Sequence, residues 1–108
     1  MLPTTKRLNL KKEFSRVIKG RRLETAHFIL YFSSSEMEFP RVGISIRSKN
    51  FGKAHNRNKA RRITSQVIQD LYQNLPKKSD LIIMPKSGVL DSEIGLLGKE
   101  LDNVLGRY

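Results

Sequence analysis

The 108-residue chain contains no cysteine, so disulfides and thiolate metal sites are excluded. It has only two histidines, and a zinc site would therefore have to use carboxylate ligands as well. No apolar run approaches the roughly 18 residues of a membrane span, and the first residues lack the apolar stretch of a secretory signal. We therefore expect a soluble, cytoplasmic protein with one domain, residues 1–108, that is held together by packing alone.

Acidic residues are scarce in the first half of the chain. Residues 1–62 contain 16 basic and 4 acidic side chains, net +12, whereas residues 63–108 contain 5 basic and 6 acidic ones, net −1. A strongly positive surface attracts polyanions, and counterions are released when they bind. Nucleic acid is thus the expected partner. An anionic membrane is disfavoured, because no basic helix here carries the large apolar face that interfacial binding requires.

The familiar catalytic motifs are also missing from the sequence. It has no phosphate-binding loop, no dinucleotide fingerprint, no nucleophile elbow and no zinc-protease helix motif. A metal-independent nuclease could use His27 and His55 as acid and base, but nothing in the sequence brings them together. Four acidic residues of the C-terminal region are better explained as caps and surface charges than as metal ligands: Asp91, Glu93, Glu100 and Asp102. A protein-only nuclease is therefore the least favoured alternative.

Hydrophobic periodicity predicts three helices separated by short strands. The first helix covers about residues 10–18, with Asn9 as its N-cap and Gly20 as its stop. The second covers residues 54–72, and its apolar stripe consists of Ala60, Ile63, Val67, Ile68 and Leu71. The third begins near Asp91.

Three apolar segments are predicted to be strands: HFILYF (27–32), RVGISIR (41–47) and DLIIM (80–84). A further short strand is expected near the loop at 33–40. These elements predict an α/β sandwich, in which a small sheet packs against helices.

The segment GKAHNRNKARRI (52–63) concentrates positive charge at the start of the second helix. It contains five basic residues with no acidic residue within four positions of any of them: Lys53, Arg57, Lys59, Arg61 and Arg62. A merely solvated helix face would mix the signs of its charges, and a nuclear-localisation signal would sit on a flexible tail. The arginine fork donates two hydrogen bonds to one phosphate. The segment therefore predicts nucleic-acid binding, without a choice between DNA and RNA.

Taken together, these segments resemble the protein subunit of bacterial ribonuclease P. RVGISI (41–46), GKAHNRNKARRI, the helix after it and DLIIMP (80–85) follow the order of that family, as do RLNLKKEF (7–14) and HFILYF. The resemblance covers nearly the whole chain. It implies an α+β two-layer sandwich of about four strands in a small mixed sheet and three helices, with a left-handed βαβ crossover.

The resemblance also implies a division of labour with an RNA. The chain would be the non-catalytic subunit of an endoribonuclease that removes the 5′ leader of precursor tRNA, with Mg²⁺ bound mainly by the RNA subunit. The expected partners are that catalytic RNA and the leader, and neither DNA nor a membrane. The alternative is a ribosomal or other structural RNA-binding protein.

Two sets of site residues carry over from the family, and no catalytic residue does. The catalytic RNA would be contacted by Lys53, Arg57, Asn58, Lys59, Arg61 and Arg62. The leader would be bound by Phe14, Ile18, Tyr31, Arg47 and Lys49, although ordinary core packing also explains Phe14 and Ile18.

The chain departs from the family pattern at several positions. Lys59 replaces a usual arginine, Ser65 a commonly basic residue and Ile18 a frequent aromatic one. The loop at 47–52 is one residue longer than usual, which puts the roles of Lys49 and Asn50 in doubt.

Overall fold

The computed structural model of the chain describes residues 6–105, apart from the side chains of Ser48 and Asn50. The helices are α1 (Leu10–Val17), α2 (Ser48–Phe51), α3 (Ala54–Leu71) and α4 (Ile94–Leu105). The strands are β1 (Arg21–Glu24), β2 (Phe28–Ser34), β3 (Arg41–Ile44) and β4 (Ser79–Pro85). Two 3₁₀ turns, Tyr72–Asn74 and Ser87–Asp91, flank β4.

The four strands form one mixed sheet in the order β1-β2-β4-β3. β2 pairs antiparallel with β1 and β4, whereas β3 runs parallel to β4. The connection between the two parallel strands passes through α3, and the left hand of this crossover stays a prediction. The outer edge of β3 is partly covered by the N-terminal segment, because the Leu8 amide donates to the Val42 carbonyl at 2.9 Å.

Helices cover both faces of the sheet. Alternate side chains of β2 and β4 point toward α3 and α4, where Leu30 and Ile83 join the larger core. The residues between them point the other way, and there Ile82 and Met84 pack with Val17 of α1. We call these two sides the α3 side and the α1 side of the sheet. The predicted α+β sandwich of three longer helices and a four-stranded mixed sheet is confirmed.

The predicted helices are present with small changes at their ends. Asn9 caps α1, since its side chain accepts a hydrogen bond from the Lys11 amide at 3.1 Å. The apolar stripe of α3 is buried as predicted. α4 begins at Ile94, three residues later than expected, because Ser87–Asp91 forms a 3₁₀ turn instead. Within the described residues, no helix has the length and apolar character needed to cross a bilayer.

The predicted position of the fourth strand is wrong. It is β1, with the sequence RRLE, and it precedes β2 instead of lying near residues 33–40. Only Leu23 of β1 packs against the core, so the strand has no alternating apolar pattern. The chain reaches β1 through Gly20, where a Cβ atom would lie only 1.9 Å from the Phe32 carbonyl oxygen. β3 is also shorter than predicted, although the Ser45 amide still donates to the Ile83 carbonyl at 3.0 Å.

Candidate nucleic-acid interface

The residues predicted to contact the catalytic RNA lie at and just after the start of α3. Five of them are exposed, and Arg57 is half-buried. We call this set the basic face of α3: Lys53, Arg57, Asn58, Lys59, Arg61 and Arg62. The opposite side of the helix is anchored in the core by Ala60 and Val67, which are fully buried. The basic face is therefore presented on a rigid element.

Backbone and side-chain contacts together hold the start of α3. Gly52 adopts a positive φ of 67°, which suits glycine, and Phe51 just before it is buried. Asn56 donates from Nδ2 to the Phe51 carbonyl at 3.2 Å, and Arg57 donates from Nη1 to the Gly52 carbonyl at 3.3 Å. Arg57 thus has a structural contact besides its predicted role. Asn56 was not predicted, and the only sequence signal for it was its position beside a helix start.

Among residues 6–105, no ion pair neutralises the basic face. In the part of the chain that the structure describes, the six salt bridges all involve other residues. The nearest acidic residue along α3 is Asp70, in its last turn, and Asp70 accepts a hydrogen bond from Gln66 at 3.0 Å. The positive charge of this face is therefore available to an external polyanion.

Arg61 and Ser65 line two adjoining depressions beside α3. One is a groove of about 220 Å³ at the β3 edge, with Leu8 and Leu10 on its far wall. The other, of about 280 Å³, lies along the exposed side of α3 and includes Asn58 and Arg62. Arg61 and Ser65 therefore stand at the boundary that the two depressions share.

Lys59 lies across the helix from Arg61, the residue that lines both depressions. At about 100° per residue, it lies about 160° around the helix from Arg61. It lines neither of the two depressions. The structure therefore separates Lys59 from Arg61, whereas Arg62, three residues further along α3, lies only about 60° away from Lys59.

Phe14 and Tyr31, predicted to bind the leader, meet on the α1 side of the sheet. Both are half-buried and pack against one small cluster of buried residues: Leu8, Val17, Ile82 and Met84. Ile18 caps the C-terminal end of α1 and is 36% exposed. We call this surface the α1-side groove, defined by Phe14, Ile18 and Tyr31. The rings of Phe14 and Tyr31 contribute to the core, and each keeps a part that is accessible to solvent.

Arg47 and Lys49 are both exposed. Arg47 follows β3, and Lys49 lies in α2, so the chain passes through them on its way from the sheet to the basic face. Gly43 of β3 lies against a side chain of the protein itself, since a Cβ at Gly43 would lie 2.7 Å from Leu10 Cδ2.

A buried carboxylate fixes α1 to the sheet. Asp80, at the start of β4, is fully buried and accepts two hydrogen bonds from Arg41, from Nε and Nη2, each at 2.9 Å. Arg16 of α1 also pairs with Asp80, and it donates to Ser33 Oγ at 3.2 Å. Hydrogen bonding to Asp80 raises the pKa of Arg16 and the pKa of Arg41 above the ordinary value for arginine, so both side chains stay charged. The sequence interpretation missed this cluster.

A second, exposed ionic cluster lies on the same side of the sheet. Glu24 of β1 binds Lys86 Nζ at 2.6 Å and Arg22 Nη2 at 2.9 Å. Hydrogen bonds from Lys86 and then from Arg22 lower the pKa of Glu24 below its ordinary value. This cluster, too, was not predicted.

The two histidines do not form an acid–base pair. His27 Nδ1 contacts Glu100 Oε1 at 2.6 Å, and its Nε2 contacts Ser92 Oγ at 3.1 Å. Burial raises the pKa of Glu100, but hydrogen bonds from Thr25 and His27 outweigh it, so the pKa is lowered overall. His55 is exposed in the first turn of α3. Among residues 6–105, no cluster of three or more His, Asp or Glu side chains could hold a metal ion.

Comparison with known proteins identifies the family to which this fold belongs. A family model described as Ribonuclease P matches residues 2–108. A ribonuclease P protein component of Thermotoga petrophila is 31% identical over 81 residues, which are 74% of this chain and 68% of that protein. One of Mesoplasma florum is 30% identical over 98 residues, 89% of this chain and 88% of the relative.

A solved structure shares the fold. The RNase P protein from Thermotoga maritima superposes with a TM-score of 0.83 at 28% identity, covering 94% of this chain and 96% of that one. The chain belongs to the ribonuclease P protein family, and it is the protein component of such an enzyme.

Proposed function

We propose that the basic face of α3 binds the catalytic RNA subunit of ribonuclease P. Its cations have no carboxylate partner in the described residues, and Arg61 stands where two concave surfaces meet. An RNA backbone would supply the missing negative charge, and bound counterions would be released on assembly. Asn58 and Ser65 add an amide and a hydroxyl that can donate to phosphate or base edges.

The α1-side groove is the proposed site for the single-stranded 5′ leader of precursor tRNA. Single strands are bound by aromatic platforms beside a positive track, and each stacked base contributes about 1–3 kcal/mol. Phe14 and Tyr31 offer half-buried rings on one side of the sheet. Arg47 and Lys49 are exposed along the chain between this groove and the basic face and would add charge.

Catalysis belongs to the RNA subunit in this proposal, and the protein contributes no catalytic side chain. Magnesium prefers oxygen ligands, carboxylates above all. The segment 53–69, which carries the basic face, contains no Asp or Glu. The residues there therefore suit phosphate better than a magnesium ion, so Mg²⁺ would be bound mainly by the RNA.

The observation that carries the proposal is that, in the part of the chain that the structure describes, no carboxylate pairs with the cations of the basic face. The test is cleavage of precursor tRNA at low magnesium concentration, by the RNA subunit alone, by the protein alone and by both. We expect efficient cleavage only in the mixture, because the protein's cations would replace part of the screening that magnesium supplies to the RNA.

Two other results would contradict this proposal. Cleavage by the protein alone would mean that it carries catalytic groups of its own. Equal rates with and without the protein would remove the proposed role in the complex and favour a structural RNA-binding function. The same assay applies to variants of the basic face such as Arg61→Ala. Their charge-matched control is Lys99→Ala, which removes an exposed cation of α4 far along the chain from the basic face and should leave the stimulation intact.

A further inference from the structure

Strand β1 presents two charged residues to the α1 side of the sheet. In the antiparallel register, Arg22 lies opposite Tyr31 and Glu24 lies opposite Ile29. Because side chains alternate along a strand, Arg21 and Leu23 point to the α3 side instead. The unpredicted edge strand therefore forms a wall next to Tyr31, one of the rings of the α1-side groove.

Two cations share one carboxylate on this wall. Glu24 is 45% exposed, and its two oxygens bind Arg22 and Lys86, whose side chains are 49% and 33% exposed. Lys86 also donates from Nζ to the Thr25 carbonyl at 2.9 Å, which fixes its position beside the strand. The cluster carries a net charge of +1, and both of its cations are ordered before any ligand arrives.

Arg22 stands beside the groove, because it lies directly opposite Tyr31 in the register and on the same side of the sheet. The Tyr31 hydroxyl is able to donate a hydrogen bond to a phosphate oxygen, and the guanidinium of Arg22 only donates. A base stacked on the Tyr31 ring would bring its flanking phosphates close to this wall. The wall thus offers a ring, a hydroxyl donor and two cations within one short stretch of surface.

Exposed ion pairs of this kind contribute little to stability, because water solvates the separated charges well. A phosphate can therefore take the place of Glu24 as the partner of either cation at little cost to the fold. Phosphate also accepts the arginine fork as a carboxylate does.

We propose that Arg22 and Lys86 form a phosphate-binding wall of the groove, on which the backbone of the single-stranded leader replaces Glu24. This inference rests on the proposed leader-binding function. It adds a named contact surface, and it gives Glu24 the role of a resident competitor that weakens leader binding.

The test measures the affinity of the reconstituted complex for precursor tRNAs with leaders of increasing length and for tRNA without a leader. Arg22→Ala should weaken binding of leader-bearing substrate roughly fivefold, and the logarithmic salt slope should fall by about 0.7, the value for one phosphate of a single strand. Lys86→Ala should act in the same direction. Glu24→Gln should instead strengthen binding, because it releases both cations.

Arg21→Ala is the matched control. It removes the same charge from the same strand, one residue away, but on the other side of the sheet. It should leave the preference for leader-bearing substrate unchanged. Thermal unfolding of each variant, measured alongside, shows whether a change in binding reflects a change in folding.

Equal effects of Arg21→Ala and Arg22→Ala would overturn the inference, since only the general field would then matter. Weaker binding by Glu24→Gln would also overturn it, because the cluster would then hold the groove in shape. Failure of the proposed function looks different: the unmodified complex would bind substrates with and without a leader equally well.

Discussion

The basic face of α3 and the α1 side of the sheet both carry arginines, but the two regions differ in whether a carboxylate of the protein pairs with them. Arg61 and Arg62 have no ion-pair partner within the described residues, whereas Arg16 and Arg41 are bound to Asp80 and Arg22 to Glu24. The first region keeps its charge for an external polyanion. In the second region most of the positive charge is paired with carboxylates of the protein, which hold α1 and β1 in position. The half-buried aromatic rings of the α1-side groove lie in the same region.

The two carboxylates of the α1 side differ in turn. Asp80 is fully buried and joins α1 to two strands, whereas Glu24 is nearly half exposed at the sheet edge. Burial makes the ion pairs of Asp80 costly to break, whereas exposure lets the partners of Glu24 exchange it for another anion easily. We therefore expect Asp80 to matter for stability and Glu24 for binding.

The largest expected effect is on stability. Asp80→Asn should lower the free energy of unfolding by about 2–4 kcal/mol, because it removes the charged partner of Arg16 and Arg41 and leaves a buried amide in its place. Urea denaturation of the isolated protein measures this loss. Glu24→Gln is the same chemical change at an exposed position and should barely alter the midpoint. Similar losses from both variants would contradict the distinction between the two carboxylates.

The next effect is on assembly. Arg61→Ala should weaken binding of the catalytic RNA about tenfold and reduce the logarithmic salt slope by about one, since one phosphate contact is lost. The stability should change by less than about 0.5 kcal/mol, because the side chain is exposed. Filter binding over a series of salt concentrations measures both quantities. An unchanged salt slope would mean that Arg61 does not touch the RNA backbone.

A smaller and more selective effect is expected at Phe14. Phe14→Leu keeps an apolar side chain against the Val17 and Met84 cluster but removes the aromatic ring. Loss of a stacking surface should cost about 1 kcal/mol of leader binding. The affinity of the complex for leader-bearing substrate should therefore fall several-fold, with no change for mature tRNA. Equal losses for both substrates would make Phe14 a core residue only.

The smallest effect is predicted for Lys59. Lys59→Ala removes one charge, as Arg61→Ala does, but on a flank of α3 outside both depressions. Without a close contact, only the screened long-range field is lost, and binding of the catalytic RNA should weaken about twofold. If Lys59→Ala and Arg61→Ala weaken binding equally, the concave surface at Arg61 has no special role.

Periodicity predicted those elements whose own residues carry an apolar pattern. α1, α3, β2 and β4 were found because their stripes or runs are complete within the element. β1 was missed because it is defined by its pairing with β2 and by the one apolar contact of Leu23. Both are tertiary contacts, which a local sequence pattern does not show. α2 was missed because a four-residue helix shows no repeat.

Apart from the groove residues carried over from the family resemblance, the site could be predicted only where neighbours in the sequence are neighbours in space. The basic face lies on consecutive turns of one helix, so its charge is visible in the sequence. The Asp80 cluster joins residues 39 and 64 positions apart, and no local pattern links them. An acidic residue opening an apolar strand was the one available signal, since a buried charge requires partners.

The absence of cysteine allows the two-surface account to be tested directly. A photoreactive group attached to Gln66→Cys would report on the α3 depression, and one attached to Ile18→Cys on the α1-side groove. In the complex with precursor tRNA, we predict that the first crosslinks to the catalytic RNA and the second to the 5′ leader. Crosslinking of both positions to the same RNA strand would contradict the account.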